Sequence, residues 1–562
     1  MKVIQRIILI SLLVLIFCMS FTTSNDFSQD LGRHLKLGEI IFQTHKIPKT
    51  NLFSYTNPAF PFINHHWGAE VFFYLLVKYI GLYSLTILKV LVMLLTCLFL
   101  MKSNKKEGSV LGFSIASLLF FPLLLDRLDI RPELFGYLFF SLFLYILFYQ
   151  KNKKLLIFIP LIFMIWINTH ITFVFGLILL FVYAFFNLRK KTKQTSTLLL
   201  CSTVALCINP HGINGLLYPF NIFGNYGYTI VENQNLFFLN SATFNPLIRY
   251  FFIISPLILI SLFILFSRKK YEHFILLLIF FILPFWQIRH MPFFVFVAVL
   301  SVGKVAHYLS LIIKIHKKHV SIFHIVLTTI ILVNSYLYIS DIYYHTFDKK
   351  KEFGLGFEES QKKATDFLLK EKLSGNLFNN FDIGGYLIYR LYPTYKVFVD
   401  NRPEGYPAQF FLQTYIPLQE NQEVRRRLFN KYDIHTVFFA HTDMTPWGIA
   451  FLTNILQDKS WRVVFLNESI VIITDEKRFT DIRDSDKFTS LINKTENYIA
   501  LLQLSTLFSL MDKKEMSMQA FVKAQKINPA SCSIKRTLYN NLQSIPVYFL
   551  QSEIKSSSWW CF

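Results

Sequence analysis

The sequence predicts a polytopic α-helical membrane domain followed by an extracytoplasmic α/β domain and a short helical tail. Three observations carry this. Apolar runs alternate with short polar loops from Met1 to His345. Those loops sort by charge, one set packed with Lys and Arg and the other carrying His, Asp, Asn and Arg singly. From Glu358 the texture changes to shorter, alternating elements. Cytoplasmic loops hold the excess of Lys and Arg in membrane proteins, so the sorting also predicts orientation.

Composition narrows the class. Of the 562 residues, 53% are hydrophobic, which fits a membrane domain with room for a soluble one. A formal net charge of +22 would suggest a nucleic-acid partner in a soluble protein. Here much of that charge sits in Lys/Arg loops beside apolar runs, so topology accounts for it and nucleic acid is not expected. The cysteines make no CxxC and no zinc spacing. Cys532 and Cys561 are free to pair in an oxidising compartment.

A membrane span needs roughly 20 apolar residues. Ile4–Phe21, with Lys2 and Arg6 before it and no small-x-small cleavage site after it, reads as an uncleaved first helix. A large outer loop (24–67) follows, and the short apolar run Gly68–Tyr83 leads into a span near Leu85–Leu100. Further spans are expected near Val110–Leu125, Leu134–Tyr149, Leu155–Ile167, Thr172–Phe186 and Thr197–Ile208. Leu247–Phe266, Phe274–Trp286, Pro292–Ile313 and Ile322–Ile342 bring the expected number to about eleven. With the N-terminus inside, every inner loop is basic: Lys102/Lys105/Lys106, Lys151/Lys153/Lys154, Arg189/Lys190/Lys191/Lys193, Arg268/Lys269/Lys270 and Lys314/Lys317/Lys318. No outer turn has a comparable cluster. The last helix then exits outward, placing the C-terminal half outside the cytoplasm of a cell (inner or plasma) membrane.

Nearly every chemically informative residue of the membrane half falls on that outer face. The first loop carries Asp26, Asp30, Arg33, His34, His65 and His66, with Glu70 just beyond. The second turn carries Asp126, Arg127, Asp129, Arg131 and Glu133; later turns bring His170, His211, Arg289 and His290. Ionisable groups at span ends cost free energy unless paired or hydrated, so their gathering marks a functional face. Carboxylates are hard oxygen ligands, and Asp26, Asp30, Asp129 and Glu133 form a candidate site for Mg2+ or Mn2+. Arg131, His170, His211, Arg289 and His290 are the candidates for holding a phosphate, Arg being suited to bidentate contact. Metal and phosphate ligands at a membrane surface suit a lipid-linked phosphorylated donor.

In the C-terminal half a helix is expected at Glu358–Lys372, a strand at Asn376–Phe381 and a short helix from Gly384-Gly385. A β-branched strand is expected at Lys396–Val399, then a helix at Glu423–Lys431 and strands at His435–Phe439, Arg462–Leu466 and Ile470–Thr474. Such alternation predicts an α/β layer. Asp382, Asp400, Asn401 and Arg402 lie at strand ends, where open sheets bind ligands, although Asp and Asn are also common turn formers. Tyr498–Met511 and Glu515–Lys526, with Ala520, Ala524 and Pro529, resemble one tetratricopeptide unit. A single repeat cannot bury its own face, so it packs on the α/β domain or meets a protein partner. The expected domains are 1–346, 347–480 and 481–562.

The stretches Asp30-Leu31-Gly32-Arg33-His34, Gly38-Glu39-Ile40, Ile47-Pro48, Phe53-Ser54-Tyr55-Thr56 and His66-Trp67-Gly68-Ala69-Glu70 carry a family resemblance. With Arg131-Pro132-Glu133, the Asn/His turns and Arg289-His290, they make the chain resemble polytopic glycosyltransferases of the GT-C fold, and more closely a group of bacterial membrane proteins of that type. Asn379-Asn380-Phe381-Asp382-Ile383-Gly384-Gly385-Tyr386 is similar to the WWDYG region of oligosaccharyltransferase catalytic subunits, with Val399-Asp400-Asn401 beyond it. The paired Trp are replaced, so peptide-sequon recognition is not carried over. The resemblance implies a polyprenyl-phosphate-linked sugar donor and a catalytic or metal-binding role for Asp30. The expected activity is transfer of that sugar to an extracytoplasmic glycan, lipid or protein. A flippase of lipid-linked saccharides and a non-catalytic membrane scaffold are the competing readings.

Overall fold

The computed structural model describes residues 2–561 except 24–29, 106–108, 151, 190, 222–225, 243, 314–316, 350, 358–359, 484–485 and 544–560. Asp26, and the loop lysines Lys106, Lys151, Lys190 and Lys314, lie outside the described residues. The membrane half begins with α1 (Lys2–Ser20), α2 (Leu31–Thr44), α3 (Trp67–Tyr79), α4 (Ser84–Asn104) and α5 (Val110–Phe120). Next come α6 (Glu133–Leu144), α7 (Phe158–Ile167), α8 (Phe173–Asn187), α9 (Thr192–Leu206), α10 (Ile213–Asn221) and α11 (Leu236–Ala242). It ends with α12 (Pro246–Ser267), α13 (Tyr271–Trp286), α14 (Met291–Ile313), α15 (Lys317–Ile339) and the short α16 (Ile342–Thr346).

Among the described residues, six stretches are long and apolar enough to cross a membrane. They are Val3–Ser20, Ser84–Asn104, Val110–Arg127, Pro246–Ser267, Ile288–Ser310 and Ile322–Ile339, and each coincides with an expected span. The remaining expected spans are shorter: Glu133–Tyr149, α8 and α13 are apolar but under that length, and α7 and α9 have 10 and 15 residues. Helix length therefore supports six spans and does not establish eleven. The run Phe293–Leu300 on α14 is buried on every side, the pattern of a central helix. Its contact with α5 depends on small residues, since a Cβ on Gly112 would lie 2.4 Å from the Gly303 carbonyl. By contrast α12 exposes Ile253, Leu259, Ile260 and Phe263, and α15 exposes Ile325, Val326, Leu332 and Val333. Lipid tails are as apolar as these side chains, so a bilayer accommodates what water would penalise.

Helices α2 and α3 belong to the segment between α1 and α4. Gly38 of α2 sits against the Glu70 backbone of α3, where an added Cβ would meet the carbonyl oxygen at 2.1 Å. On its other side Gly32 faces the Gly385 carbonyl at 2.8 Å from such a Cβ. Backbone cannot give way as a side-chain tip can, so these positions hold α2 between α3 and the soluble half. Gly38→Val is expected to destabilise by ~1–3 kcal/mol or more through overpacking. A lowered melting temperature in detergent checks this, and an unchanged one removes the close-packing argument.

The soluble half contains α17 (Ser360–Glu371), β1 (Asn376–Asn379), α18 (Gly384–Leu391), α19 (Ala408–Phe410), α20 (Ile416–Glu420) and α21 (Gln422–Tyr432). It continues with β2 (Ile434–Ala440), α22 (Pro446–Gln457), β3 (Arg462–Leu466) and β4 (Ile470–Thr474). The sheet order is β1-β2-β4-β3, with β1 parallel to β2 and the other pairs antiparallel. Every residue of β4 is buried, as its unbroken Ile-Val-Ile-Ile-Thr run requires of a strand covered on both faces. The strand expected at Lys396–Val399 is not formed. Instead the Asn379 side chain accepts from the Phe398 N–H (2.9 Å) and donates to the Val399 carbonyl (2.8 Å), doing the work of a neighbouring strand. Val397 N–H donates to the Phe53 carbonyl (3.0 Å), so the segment bridges to the loop between α2 and α3.

The tail forms α23 (Lys487–Lys494), α24 (Tyr498–Leu510), α25 (Lys514–Ile527) and α26 (Cys532–Gln543). Helices α24 and α25 pack as a hairpin whose Leu501, Leu504, Phe508, Ala520 and Ala524 join the sheet's hydrophobic core. Of the two expected fates for this unit, its buried face takes packing on the α/β layer. Tyr498 and Asn528 also donate to the His345 carbonyl (3.1 and 2.9 Å). Cys532 is disulfide-bonded to Cys561.

Candidate functional site

A cavity of about 650 Å³ opens where α2, the turns before α6 and α8, the 226–234 segment, residues 287–290 and the soluble half meet. It collects Asp30, His34, His65, His66, Arg131, Glu133, His170, Arg289, His290 and Asp382 from the sequence-derived candidates. Segments distant in sequence thus share one wall. Asp30 lies just before α2, and its Oδ1 accepts from Arg33 Nη2 at 3.0 Å. Its Oδ2 stands 4.0 Å from Arg131 Nε. Arg33 Nε donates to Asn401 Oδ1 (3.3 Å), tying this corner to the soluble half.

Beside Asp30 three guanidinium groups converge on Glu232. Arg127 Nη1 is 3.0 Å from Glu232 Oε1, Arg131 Nη1 donates to the same oxygen, and Arg289 Nη2 reaches Oε2 at 3.5 Å. Burial alone would raise the Glu232 carboxyl, but Arg127, Arg131 and Arg289 together hold it far below the usual range. The geometry is a cationic cradle closed on the Glu232 carboxylate. Glu232 arrives there because its segment is clamped to the soluble half. The Tyr228 ring stacks on Phe381 (4.3 Å between centroids) and packs against Phe411 (5.1 Å). Gly227, at φ 74°, passes so close to the Ala408 carbonyl that a Cβ would lie 2.3 Å from it. Only glycine fits both the dihedral and the approach.

A set of imidazoles lines the same cavity. His34 Nδ1 is 2.8 Å from Glu70 Oε1, and Asn64 Nδ2 donates to Glu70 Oε2 at 2.6 Å. The His66 ring lies 5.2 Å from His34, 3.8 Å from His65 and 5.1 Å from His170. Burial drives His65 and His170 down to about 3, and His34 and His66 also fall well below their ordinary value, so the wall is neutral near pH 7. Burial pushes the Glu70 carboxyl the other way, up to about 7, against the lowering pull of Arg33.

Several candidates lie elsewhere. Asp129 does not line the cavity and is ion-paired to Lys351. Glu133 does line it, but its carboxylate is taken by Arg127 at 2.7 Å. Among the described residues Asp30, Asp129 and Glu133 do not gather as one carboxylate set for Mg2+ or Mn2+: Asp30 pairs with Arg33, Asp129 with Lys351 and Glu133 with Arg127, while Asp26 lies outside the described residues. His211 sits outside the cavity in the turn after α9, its backbone N–H donating to Asn209 Oδ1. Asp400 and Arg402 are fully buried against each other (2.7 and 2.8 Å) and do not face the cavity, although Asn401 between them does. Sequence reasoning missed Glu232. Its signal was there: it is the only Asp, Glu, Lys or Arg between Asn209 and Asn245.

The cavity is amphipathic. Besides its charged groups, Ile171, Val174, Phe175, Ile178, Leu283 and Trp286 line it from α13, α8 and the turn before α8. No protein-family model matches the chain, and no curated protein matches it. Among solved structures it is similar to the oligosaccharyltransferase AglB from Archaeoglobus fulgidus in complex with an inhibitory peptide and a dolichol-phosphate. That likeness has a TM-score of 0.56 at 11% identity, over 96% of this chain and 86% of that one. A second similar structure is the Archaeoglobus fulgidus oligosaccharyltransferase tethered to an acceptor peptide containing the NVT sequon, with a TM-score of 0.51 at 13% identity over 79% and 70%. At such identities the likeness is one of fold: membrane helices carrying a soluble α/β half, as in an archaeal oligosaccharyltransferase.

Proposed function

We propose that the chain is a membrane glycosyltransferase that moves a sugar from a polyprenyl-phosphate-linked donor onto an extracytoplasmic acceptor. The observation that carries this is the placement of Asp30 beside the Arg127–Arg131–Arg289 cradle in one amphipathic cavity. The cradle supplies charge for a phosphate, and the Ile171–Val174–Ile178–Leu283 flank supplies an apolar bed for a polyisoprenoid tail. The archaeal fold neighbour holds a dolichol-phosphate, which is consistent with a lipid-linked donor here. In this reading the N-terminus is cytoplasmic and the soluble half extracytoplasmic, an orientation that the basic loops support.

The chemistry is an inverting displacement. Asp30 accepts the proton of the acceptor's nucleophilic group as the new bond to the anomeric carbon forms. The bond from that carbon to the phosphate oxygen breaks, and polyprenyl phosphate leaves with the electron pair. Arg131, Arg127 and Arg289 stabilise the charge it gains, where fixed cations in a water-poor site act most strongly. The acceptor approaches from the side of Asp382 and Glu404, which line the same cavity.

Reconstitution of the purified chain with a polyprenyl-phosphate-linked sugar and a mixed acceptor pool tests this. Release of polyprenyl phosphate together with labelled product is expected. Arg131→Met with Arg289→Met is expected to weaken binding of polyprenyl phosphate at least ~10-fold, since charge-assisted hydrogen bonds contribute about 1.5–3 kcal/mol each. Undiminished binding in that pair would remove the phosphate assignment.

A further inference from the structure

We propose that His34, His66 and Glu70 form a binding site for a divalent first-row transition ion, Zn2+ being the best fit, in the wall of the cavity. Each residue offers one ligand atom, and the three atoms lie within 4.8 Å of one another. They come from α2, from the residue before α3 and from α3 itself, and the Gly38–Glu70 backbone contact fixes these two helices together. No side-chain hydrogen bond reaches the His66 ring among the described residues; its neighbours are the rings of His34, His65 and His170. A half-buried imidazole of this kind offers nitrogen lone pairs to an ion rather than to a protein donor.

The donor set selects the ion. Two imidazoles and one carboxylate suit Zn2+, whereas Mg2+ and Ca2+ want six or more oxygens. The Asn64 amide holds the second Glu70 oxygen at 2.6 Å, the outer-shell support that ligating carboxylates generally have. Ligation at bonds of roughly 2.0–2.1 Å needs His34 Nδ1 and Glu70 Oε1, now 2.8 Å apart, to open to about 3.3 Å, and the His66 ring, whose ligand atom lies within 4.8 Å of theirs, to close on the ion. Arg33 Nη1, 3.9 Å from Glu70, has partners of its own in Asp30 and Asn401 and does not depend on that carboxylate. His34 and His66 face the cavity while Glu70 lies behind them, so the remaining coordination position opens toward the cavity.

This site does not rest on the transfer reading, and ion binding is measured without any donor. The full chain, purified in detergent and stripped with chelator, is titrated with Zn2+ and with Co2+ as a spectroscopic stand-in. One ion per chain is expected, with a Co2+ spectrum showing nitrogen ligation. His66→Ala and Glu70→Gln, checked for folding by elution profile and melting temperature, are expected to weaken binding 10–100-fold. Asp129→Asn is expected to bind as the parent does. Absence of stoichiometric binding in the parent overturns the proposal, as does a Co2+ spectrum with oxygen ligands alone. Loss of binding in Asp129→Asn with retention in His66→Ala would place the ion on the carboxylates and overturn it as well.

Discussion

Asp30→Asn is expected to lower the rate of sugar transfer by ~10²–10⁴-fold while leaving donor binding within a few-fold of the parent. The substitution keeps shape and removes the negative charge and with it the ability to take a proton. Asp30 is a quarter exposed at the cavity wall, and its buried partner Arg33 keeps Asn401 and Glu70 beside it, so the fold is expected to persist. The Arg33 Nη2 contact at 3.0 Å survives in part, because an amide oxygen still accepts. The effect should therefore fall on kcat rather than on the affinity for polyprenyl phosphate, which our proposal assigns to the arginine cradle. Transfer measured in reconstituted vesicles, with expression matched, separates the cases. An unchanged rate sinks the catalytic assignment, whereas loss of binding and rate together would make Asp30 part of the donor site.

Asp400→Ala is expected to destabilise the protein by ~3–5 kcal/mol, the cost of leaving a buried guanidinium uncompensated. Arg402 is 1% exposed, and both Asp400 oxygens take its hydrogen bonds while Tyr406 donates to one of them. The guanidinium also donates to Asn51 Oδ1 (2.9 Å) and lies over the Phe53 and Phe62 rings at 5.2 and 4.7 Å. This pair is thus the rivet between the loop joining α2 to α3 and the soluble half, and its loss should loosen the Arg33–Asn401 contact that shapes the cavity. Burial would raise the Asp400 carboxyl, but Arg402 outweighs it and holds the group below its ordinary value. Its stabilisation is therefore complete above roughly pH 4 and fades only as pH falls through the depressed folded value. Thermal unfolding of Asp400→Ala and of the double variant Asp400→Leu/Arg402→Met checks the argument. The double variant should recover most of the loss, because apolar replacement of a buried pair is often neutral. Equal losses in both would mean that packing, not uncompensated charge, dominates.

The site was legible in proportion to how locally its residues are specified. Asp30, Arg131, His170 and Arg289 stood out because charged side chains at the ends of apolar runs are costly without a use, and each run could be read from its own window. Glu232 stood out less, since a single acid in a long loop has no periodicity to read. Its role depends on Tyr228 docking against Phe381, a contact across more than one hundred positions. Asp129 and Glu133 looked like metal ligands for the converse reason: nothing in the sequence shows that Lys351 and Arg127 reach them first. Asp400 and Arg402 looked like ligand contacts at a strand end, and only their burial reveals a structural pair. Lys396–Val399 reads as a strand by composition, yet Asn379 and Phe53 take the hydrogen bonds a neighbouring strand would have taken.

By itself the sequence determined that this chain lies in a membrane, where its long apolar helices fall, and that β2, β3 and β4 form a sheet. Those properties follow from hydropathy and side-chain alternation over a few turns or residues. Tertiary structure decided which charges meet. Pairing of Arg127, Arg131 and Arg289 with Glu232, and of His34 with Glu70, depends on where separate segments are pressed together by contacts such as Gly38 on Glu70 and Gly227 on Ala408. Electrostatic partnership falls off over a few ångströms, so it is fixed by that packing and not by spacing along the chain.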